Sequence, residues 1–204
     1  MAQRRLGVVL FPGFEVLDVF GPLEVFGGLP EHFEVLTVAS AAGPVASAQR
    51  TSAVADASFA TCPRCELLLV PGGLGTRREV ENAALLDWLR MRAAEAELVM
   101  SVCTGAGLLA RAGLLDGVRA TSNKRAWSWV VSQGPKVAWV PVARWVDAGK
   151  LVTSSGVSAG IDMALHVVAR LVGEETAEAA AVRMEYDWHR DADVDPFAAR
   201  YGLA

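Results

Sequence analysis

Short apolar segments alternate along the chain with longer segments in which apolar residues recur at helical spacing. Apolar runs of four to eight residues that end at glycine or proline predict buried strands. Such segments cover residues 6–11, 33–39, 66–70 and 97–102. The longer amphipathic or apolar segments predict helices over residues 15–26, 82–96, 104–112, 124–132, 158–171 and 176–188.

The order of these elements predicts the fold class. Strands that alternate with helices are typical of a doubly wound α/β fold, with a mostly parallel sheet and helices on both faces. Residues 43–59 predict only short strands and turns, and residues 143–146 and 151–154 predict a hairpin. Pro22 has no N–H and predicts a break or kink in the first helix. With no internal repeat or linker, residues 1–204 are predicted to form one domain.

The composition supports a sheet that is buried on both faces. Hydrophobic residues make up 52% of the chain, and the mean hydropathy is +0.31. Residues 98–110 form a central stretch without charge, but this stretch is too short and too polar to cross about 30 Å of hydrocarbon. The N-terminal sequence has no signal-peptide pattern. We therefore expect a cytoplasmic protein that does not insert into a membrane.

The charge balance argues against nucleic acid as a partner. The formal net charge is −4 and the isoelectric point is near 5.4. No cluster of lysine and arginine could follow a phosphate backbone, since Arg77 and Arg78 are only a pair. The sequence instead favours a small-molecule substrate.

Three cysteines, Cys62, Cys65 and Cys103, do not suggest a disulfide framework. Cys62 and Cys65 form a C-x-x-C motif, which could be a redox pair, a zinc site or simply a loop before a strand. A redox pair of this type normally lies between a strand and a helix start, and zinc needs further ligands that the chain does not supply. We interpret the motif as a loop and predict no metal site.

Cys103 has the sequence context of a nucleophile elbow. A buried strand ends directly before it, and small residues such as Gly105 follow where a helix begins. This arrangement exposes a side chain at the carboxyl edge of a sheet. The start of the helix directs N–H groups and partial positive charge towards the sulfur, which predicts a reactive thiolate. The alternative is an inert cysteine that packs as a small hydrophobe.

Other polar groups are predicted at the same edge of the sheet. Gly72 and Gly73 follow a neighbouring strand, where their N–H groups could stabilise charge on a substrate, or could simply form a turn. Glu15 and Asp18 follow the first strand, and either could exchange a proton with Cys103 or complement the helix dipole. The histidines, at positions 32, 166 and 189, are not next to the elbow in the sequence and are not predicted to be catalytic.

Taken in order, these motifs resemble the ThiJ/PfpI superfamily from residue 6 to about residue 197. The motifs that carry the resemblance are Phe11-Pro12-Gly13, Asp18 with Gly21-Pro22, Pro71-Gly72-Gly73, Ser101-Val102-Cys103-Thr104-Gly105 and Val157-Ser158-Ala159-Gly160-Ile161-Asp162. The resemblance implies a flavodoxin-like fold of the class I glutamine-amidotransferase type. It also implies a homodimer.

Within the superfamily the motifs are most similar to those of isonitrile hydratases, which convert R–N≡C to an N-substituted formamide without a metal or cofactor. The resemblance implies that Cys103 is the nucleophile, that Asp18 is the acid and that Thr104 holds the intermediate. The protease-like branch has histidine directly after the cysteine. Thr104 at that position argues against peptidase chemistry.

One position departs from the hydratase pattern. Asn123 stands where those enzymes usually have histidine, and an amide cannot exchange protons near neutral pH. Trp127 follows within about one helical turn and could line an apolar substrate pocket. The alternatives are a glyoxalase-type or redox-stress thiolate protein of the same superfamily, or a small-molecule-sensing module without catalysis.

Overall fold

The computed structural model describes residues 3–204 and contains one central sheet. Its strands are β1 Arg4–Val9, β2 Phe33–Ala39, β5 Ala57–Ser58, β6 Leu67–Val70, β7 Leu98–Val102, β10 Trp145–Asp147 and β11 Leu151–Ser154. They lie in the order β10-β11-β7-β6-β1-β2-β5, and only β10 is antiparallel to its neighbour. The predicted mostly parallel sheet and the hairpin at its edge are both confirmed.

Helices surround the sheet, and two small ribbons lie beside it. The helices are α1 Val16–Gly27, α2 Thr76–Glu79, α3 Ala83–Glu95, α4 Gly105–Arg111, α5 Trp127–Gln133, α6 Ala159–Val172, α7 Glu174–Arg183 and α8 Phe197–Arg200. The ribbons pair β3 Gly43–Ala46 with β4 Ser52–Ala55, and β8 Arg119–Ala120 with β9 Ala138–Trp139. No helix in residues 3–204 is long and apolar enough to span a membrane.

The two middle strands of the sheet are completely buried, so the packing around them fixes the positions of their ends. Every residue of β6 and β7 is buried, including Leu69 and Met100, which are fully inaccessible. Burying one large aliphatic side chain contributes about 1.5–3 kcal/mol to folding. The site described below lies where β6 and β7 end, so its backbone is held by the best-packed part of the core.

Pro22 was predicted to break or kink the first helix, and the break is wrong because α1 continues through Pro22 from Val16 to Gly27. Proline removes one intrahelical hydrogen bond. Packing against α6 offsets that loss: a Cβ added to Gly21 would meet Ile161, and one added to Gly160 would meet Val102 and Pro22. These small residues let α1 and α6 approach closely.

The C-x-x-C motif lies in the loop before β6, where the sequence placed it. The Sγ atoms of Cys62 and Cys65 are 4.0 Å apart and both thiols are free. Burial, followed by the charge of Cys62, raises the pKa of Cys65 to about 12. Cys65 is therefore a protonated thiol at physiological pH.

Candidate active site

Cys103 sits at the turn between β7 and α4 in a left-handed backbone conformation. Its φ angle is +58°, and such a conformation costs a residue with a side chain about 1–3 kcal/mol. The Cys103 N–H lies 3.2 Å from the carbonyl oxygens of Ser154 and Ser155, and the Ser122 hydroxyl donates to the Cys103 carbonyl at 2.7 Å. These contacts hold the strained turn, and the predicted elbow geometry is present.

The turn needs small residues because the neighbouring strand end is very close. A Cβ added to Gly105 would lie 2.8 Å from the Pro71 carbonyl oxygen, closer than real side chains approach. A Cβ added to Gly72 would lie 2.5 Å from the Thr104 backbone nitrogen. The glycines on both strand ends thus permit the close approach of the two turns.

Asp18 is the acid that lies beside the nucleophile. It is fully buried on α1, and its Oδ2 accepts a hydrogen bond from the Gly72 N–H at 2.9 Å. Its Oδ1 is buried and has no hydrogen-bond partner within residues 3–204. Burial raises the pKa of Asp18 well above its usual value, and the charge of Glu15 acts in the same direction. The carboxyl group is therefore poised to carry a proton.

The pKa of the Cys103 thiol is raised, not lowered. Burial is the main cause, and the adjacent charge of Asp18 adds to it. The Thr104 N–H at the start of α4 favours the thiolate but does not outweigh burial. Burial and the adjacent carboxyl group therefore oppose the predicted thiolate, because Cys103 is only 6% exposed and lies beside Asp18.

The N–H groups of Gly72 and Gly73 are already used inside the protein. The Gly72 N–H binds Asp18, and the Gly73 N–H donates to Thr104 Oγ1 at 3.0 Å. Thr104 Oγ1 also lies 3.1 Å from the hydroxyl of Thr76. In this structure the two glycines position the acid and the turn, while the Thr104 backbone N–H faces the sulfur. Their role as oxyanion donors stays a prediction.

Glu15 is the second carboxylate near Cys103, and its charge affects the thiol less than that of Asp18. It is half-buried, and its Oε1 accepts a hydrogen bond from Gln49 at 2.5 Å. Its backbone N–H donates to the Gly72 carbonyl at 2.9 Å. Glu15 thus fastens the start of α1 to the strand end and adds negative charge near Asp18.

A cleft of about 400 Å³ opens beside the sulfur, and Asn123 and Gly156 connect the two. A Cβ added to Gly156 would lie 2.6 Å from the Cys103 Sγ and would also collide with the Asn123 amide nitrogen. The Asn123 Oδ1 accepts from the Ala126 N–H at 2.9 Å, which leaves the NH₂ end directed towards Gly156 and the sulfur. The residues that line the cleft are Leu17, Asn123, Lys124, Arg125, Gly156, Val157, Ser158, Phe197 and Tyr201.

Trp127 lies in an adjoining groove of about 300 Å³ and not in the cleft itself. Its ring packs edge-on against Trp139 at 5.9 Å, with the Lys124 ammonium 5.2 Å from its centre. The groove shares Lys124, Arg125 and Tyr201 with the cleft, so the two form one continuous depression. The structure brings Trp127 near the site but does not bring it to the sulfur.

Several residues of this region were not predicted from the sequence to belong to the site. Phe197 and Tyr201 come from the C-terminal segment. An ion pair at 3.7 Å between Asp195 and the buried Lys124 holds this segment in place. Thr76 and Arg77 come from α2, and the Arg77 guanidinium lies 3.9 Å above the Trp129 ring. Their only sequence signal was proximity to the predicted glycine turn.

The three histidines contact groups other than the sulfur, and the His189 backbone N–H donates to Asp162 at 3.0 Å. His166 contacts Asp147 at 2.8 Å on the far edge of the sheet, and His32 lies 3.6 Å from Glu31. Both carboxylates are outside the residues that surround Cys103. Within residues 3–204, no histidine lines the cleft or the adjoining groove.

Comparisons with known proteins give a family and relatives that cover most of the chain. Residues 4–170 match the model of the DJ-1/PfpI family. The chain is 38% identical over 183 residues to the isonitrile hydratase of Pseudomonas putida, which covers 89% of this chain and 78% of that protein. A ThiJ/PfpI family protein from Pseudomonas syringae superimposes with a TM-score of 0.85 at 35% identity, covering 92% of this chain and 76% of that one.

Transcription regulators share the same domain. The chain is 31% identical over 173 residues to the HTH-type transcriptional regulator CdhR of Pseudomonas aeruginosa. The match covers 83% of this chain but only 51% of the regulator. The fold therefore occurs in proteins with quite different activities, and the chemistry must be argued from the site.

Proposed function

The chain belongs to the DJ-1/PfpI family, and on that premise we propose that it hydrates an isonitrile to an N-substituted formamide, with Cys103 as nucleophile and Asp18 as acid. The similarity to the Pseudomonas putida isonitrile hydratase supports this assignment. The site residues that the family resemblance implied, Cys103, Asp18 and Thr104, come together in one place.

The observation that carries the proposal is the buried Asp18 carboxyl beside the Cys103 thiol. The terminal carbon of an isonitrile must gain both a proton and a nucleophile. An acid and a sulfur that face one point can supply both. Burial raises the pKa of Asp18 well above its usual value, so the carboxyl group keeps its proton to a higher pH than an exposed aspartate does.

In the first step the elements of the thiol add to the terminal carbon. Asp18 gives its proton to the carbon while the Cys103 sulfur forms the C–S bond and releases its own proton to the carboxylate. The product is a thioimidate, R–N=CH–S–Cys103, and Asp18 is again protonated. Oδ1 of Asp18 has no partner among residues 3–204, which leaves one oxygen available for this exchange.

In the second step water hydrolyses the thioimidate. Water adds to the carbon with proton transfer through Asp18 to the imine nitrogen, and the tetrahedral carbon then expels the sulfur. This gives R–NH–CHO and restores the Cys103 thiol. The Thr104 backbone N–H faces the sulfur and stabilises charge on it as the C–S bond breaks. The Thr104 hydroxyl, bound to Gly73, holds the turn in place.

The cleft supports an apolar R group. Leu17, Val157, Phe197 and Tyr201 line it, and Gly156, which lines the same cleft, lies against the Cys103 sulfur. Asn123 contributes an amide donor near the sulfur and no titratable proton. In this proposal it orients the bound group and leaves proton transfer to Asp18.

Turnover against matched substrates tests the proposal. We expect the wild-type protein to form N-cyclohexylformamide from cyclohexyl isocyanide and to act far more weakly on methylglyoxal. Preferential turnover of methylglyoxal would instead support the glyoxalase-type alternative. Binding of small molecules without any turnover would support the sensing alternative that the regulator relatives suggest.

The proposal also includes a homodimer that acts in the cytoplasm on a small molecule. Leu17 and Phe20 expose apolar side chains on α1, next to the cleft, and are 41% and 46% exposed. Sedimentation measurements would test the dimer, since the monomer mass is 21.6 kDa. A monomer at micromolar concentration would contradict this part of the proposal.

A further inference from the structure

The depression beside Cys103 is lined by positive charge, although the protein as a whole is acidic. The chain has 23 acidic and 19 basic residues. Exposed Arg77 and Arg125 nevertheless line the groove, and Arg125 also lines the cleft, whereas Lys124 lines both but is buried and paired with Asp195 at 3.7 Å. No aspartate or glutamate in the described part of the chain lines either one. Positive charge concentrated in a concave site attracts anions and orients them.

Arg77 is the cation that is best placed to act on a substrate. Its guanidinium lies 3.9 Å from the centre of the Trp129 ring, which fixes the side chain over the groove. Its Nη1 donates to Thr76 Oγ1 at 3.1 Å, and that hydroxyl lies 3.1 Å from Thr104 Oγ1. A short chain of contacts thus connects the guanidinium to the residue that follows the nucleophile.

The charge of Arg77 is not neutralised within residues 3–204. The neighbouring Arg78 forms an ion pair with Glu79 at 2.6 Å, whereas no described carboxylate lies within ion-pair distance of Arg77. The charge is close enough to Cys103 for a thiolate there to influence the pKa of the arginine. Arg125 is likewise exposed and has no ion-pair partner in the described part of the chain.

We propose that Arg77 binds an anionic group of the substrate, so that the preferred isonitriles carry a carboxylate. A guanidinium that stacks on an aromatic ring presents its N–H groups in a planar fork that matches a carboxylate. The isonitrile end then points towards Cys103 and the apolar part of the substrate lies along the cleft. This inference rests on the proposed function, because it names the substrate class of the same site.

The test compares isocyanoacetate with its methyl ester, which differ in one charge. We expect the wild-type protein to favour isocyanoacetate in kcat/KM, and R77Q to reduce that preference about tenfold, mainly through KM. R77K keeps the charge but not the planar fork, and should recover part of the preference. R119Q removes an equal charge from exposed Arg119, which lines neither the cleft nor the groove, and should keep the full preference.

A second measurement does not depend on isonitrile turnover. Iodoacetate and iodoacetamide alkylate Cys103 with reagents that differ in charge, and peptide mass spectrometry gives the ratio of the two rates. We expect this ratio to fall about tenfold in R77Q relative to the wild-type protein. If Arg77 only stabilised the thiolate, both rates would fall together and the ratio would stay constant, which overturns the inference.

The two measurements separate the two proposals. Isonitrile turnover with no preference for the carboxylate, and a constant alkylation ratio, would overturn the anion site and leave hydration standing. An alkylation ratio that depends on Arg77, without turnover of either isonitrile, would support the anion site and contradict the proposed reaction.

Discussion

The buried carboxyl group of Asp18 lies beside the thiol of Cys103, with Oδ2 held by the Gly72 N–H at 2.9 Å. The two residues come from different elements: Asp18 lies on the helix after the first strand, and Cys103 lies in the turn after β7. Burial raises the pKa of both groups. Each group therefore favours its protonated form more than it would in water, and the reactivity of the site depends on the acid as much as on the sulfur.

Replacing Asp18 with asparagine should abolish proton transfer and preserve the fold. The asparagine side chain can still accept the Gly72 hydrogen bond through its carbonyl oxygen, but it has no acidic proton to give. We expect D18N to lower kcat about 10²- to 10⁴-fold, the usual contribution of a general acid. Formamide production measured by proton NMR checks this. Activity within about threefold of the wild-type protein would show that Asp18 is not the acid.

The same substitution should change the pH dependence of stability in a defined direction. The pKa of Asp18 is higher in the folded protein than its unfolded value near 3.8. Between these two values the folded state binds more protons, so the free energy of unfolding falls as pH rises. Asparagine does not titrate, so D18N does not show this decrease in the free energy of unfolding. Urea unfolding from pH 4 to 9 should show D18N gaining stability relative to the wild-type protein, and parallel curves would contradict the raised pKa.

The pH profile of activity should report the Asp18–Cys103 pair and not a free thiol. Addition to the isonitrile carbon needs at least one proton on the pair, so kcat/KM should fall on the alkaline side as the last proton is lost. Because the groups are coupled, the apparent pKa belongs to both. A rate that climbs steadily through about pH 8.5 and then reaches a plateau would instead indicate a simple thiolate nucleophile.

Gly156 should be essential for substrate access, because it borders the sulfur directly. An added methyl group would lie 2.6 Å from the Cys103 Sγ. We expect G156A to reduce kcat/KM at least about a hundredfold. G27A is the matched control, since no described atom outside its own helix lies within 4 Å of a Cβ at Gly27. Equal activity of the two variants would mean that the substrate does not approach past Gly156.

The buried pair of Lys124 and Asp195 should hold the C-terminal segment against the cleft. The side chains are 1% and 0% exposed, and burial lowers the pKa of Lys124 to about 8. D195N leaves a buried ammonium without its carboxylate and should cost about 3 kcal/mol in urea unfolding at pH 7. Asp195 raises the pKa of Lys124, so this pKa lies below 8 in D195N, and the stability lost relative to the wild-type protein should return as pH rises towards 8.

A double variant serves as the control for this pair. K124M/D195N removes both charges and should be more stable than D195N alone. If D195N and K124M/D195N were equally stable, the ion pair would not be the interaction that secures the segment. A rise in KM for D195N is expected as well, because Phe197 and Tyr201 line the cleft.

The sequence was sufficient for the parts of the site that are local. A strand that ends directly at Cys103, followed by small residues, predicts the elbow without any tertiary information. Asp18 was a candidate because it follows the first strand at the same edge of the sheet as Cys103, and the family resemblance favoured it over Glu15. The alternation of strands and helices predicted the mostly parallel sheet for the same local reason.

The rest of the site depends on tertiary contacts that periodicity does not reveal. Contact with the Trp129 ring places the Arg77 side chain over the groove. The ion pair of Asp195 with Lys124 places Phe197 at the cleft. The direction of the Cys103 pKa also depends on burial, which outweighs the helix start that the sequence suggested. Pro22 was misjudged because packing of α1 on α6 was not visible.

The most direct test of the central claim is formation of N-cyclohexylformamide from cyclohexyl isocyanide, followed by proton NMR for the wild-type protein and C103A. The account predicts steady production of the formamide by the wild-type protein and none above the uncatalysed rate by C103A. Equal production by both proteins, or none by the wild-type protein while methylglyoxal is consumed at Cys103, would contradict it.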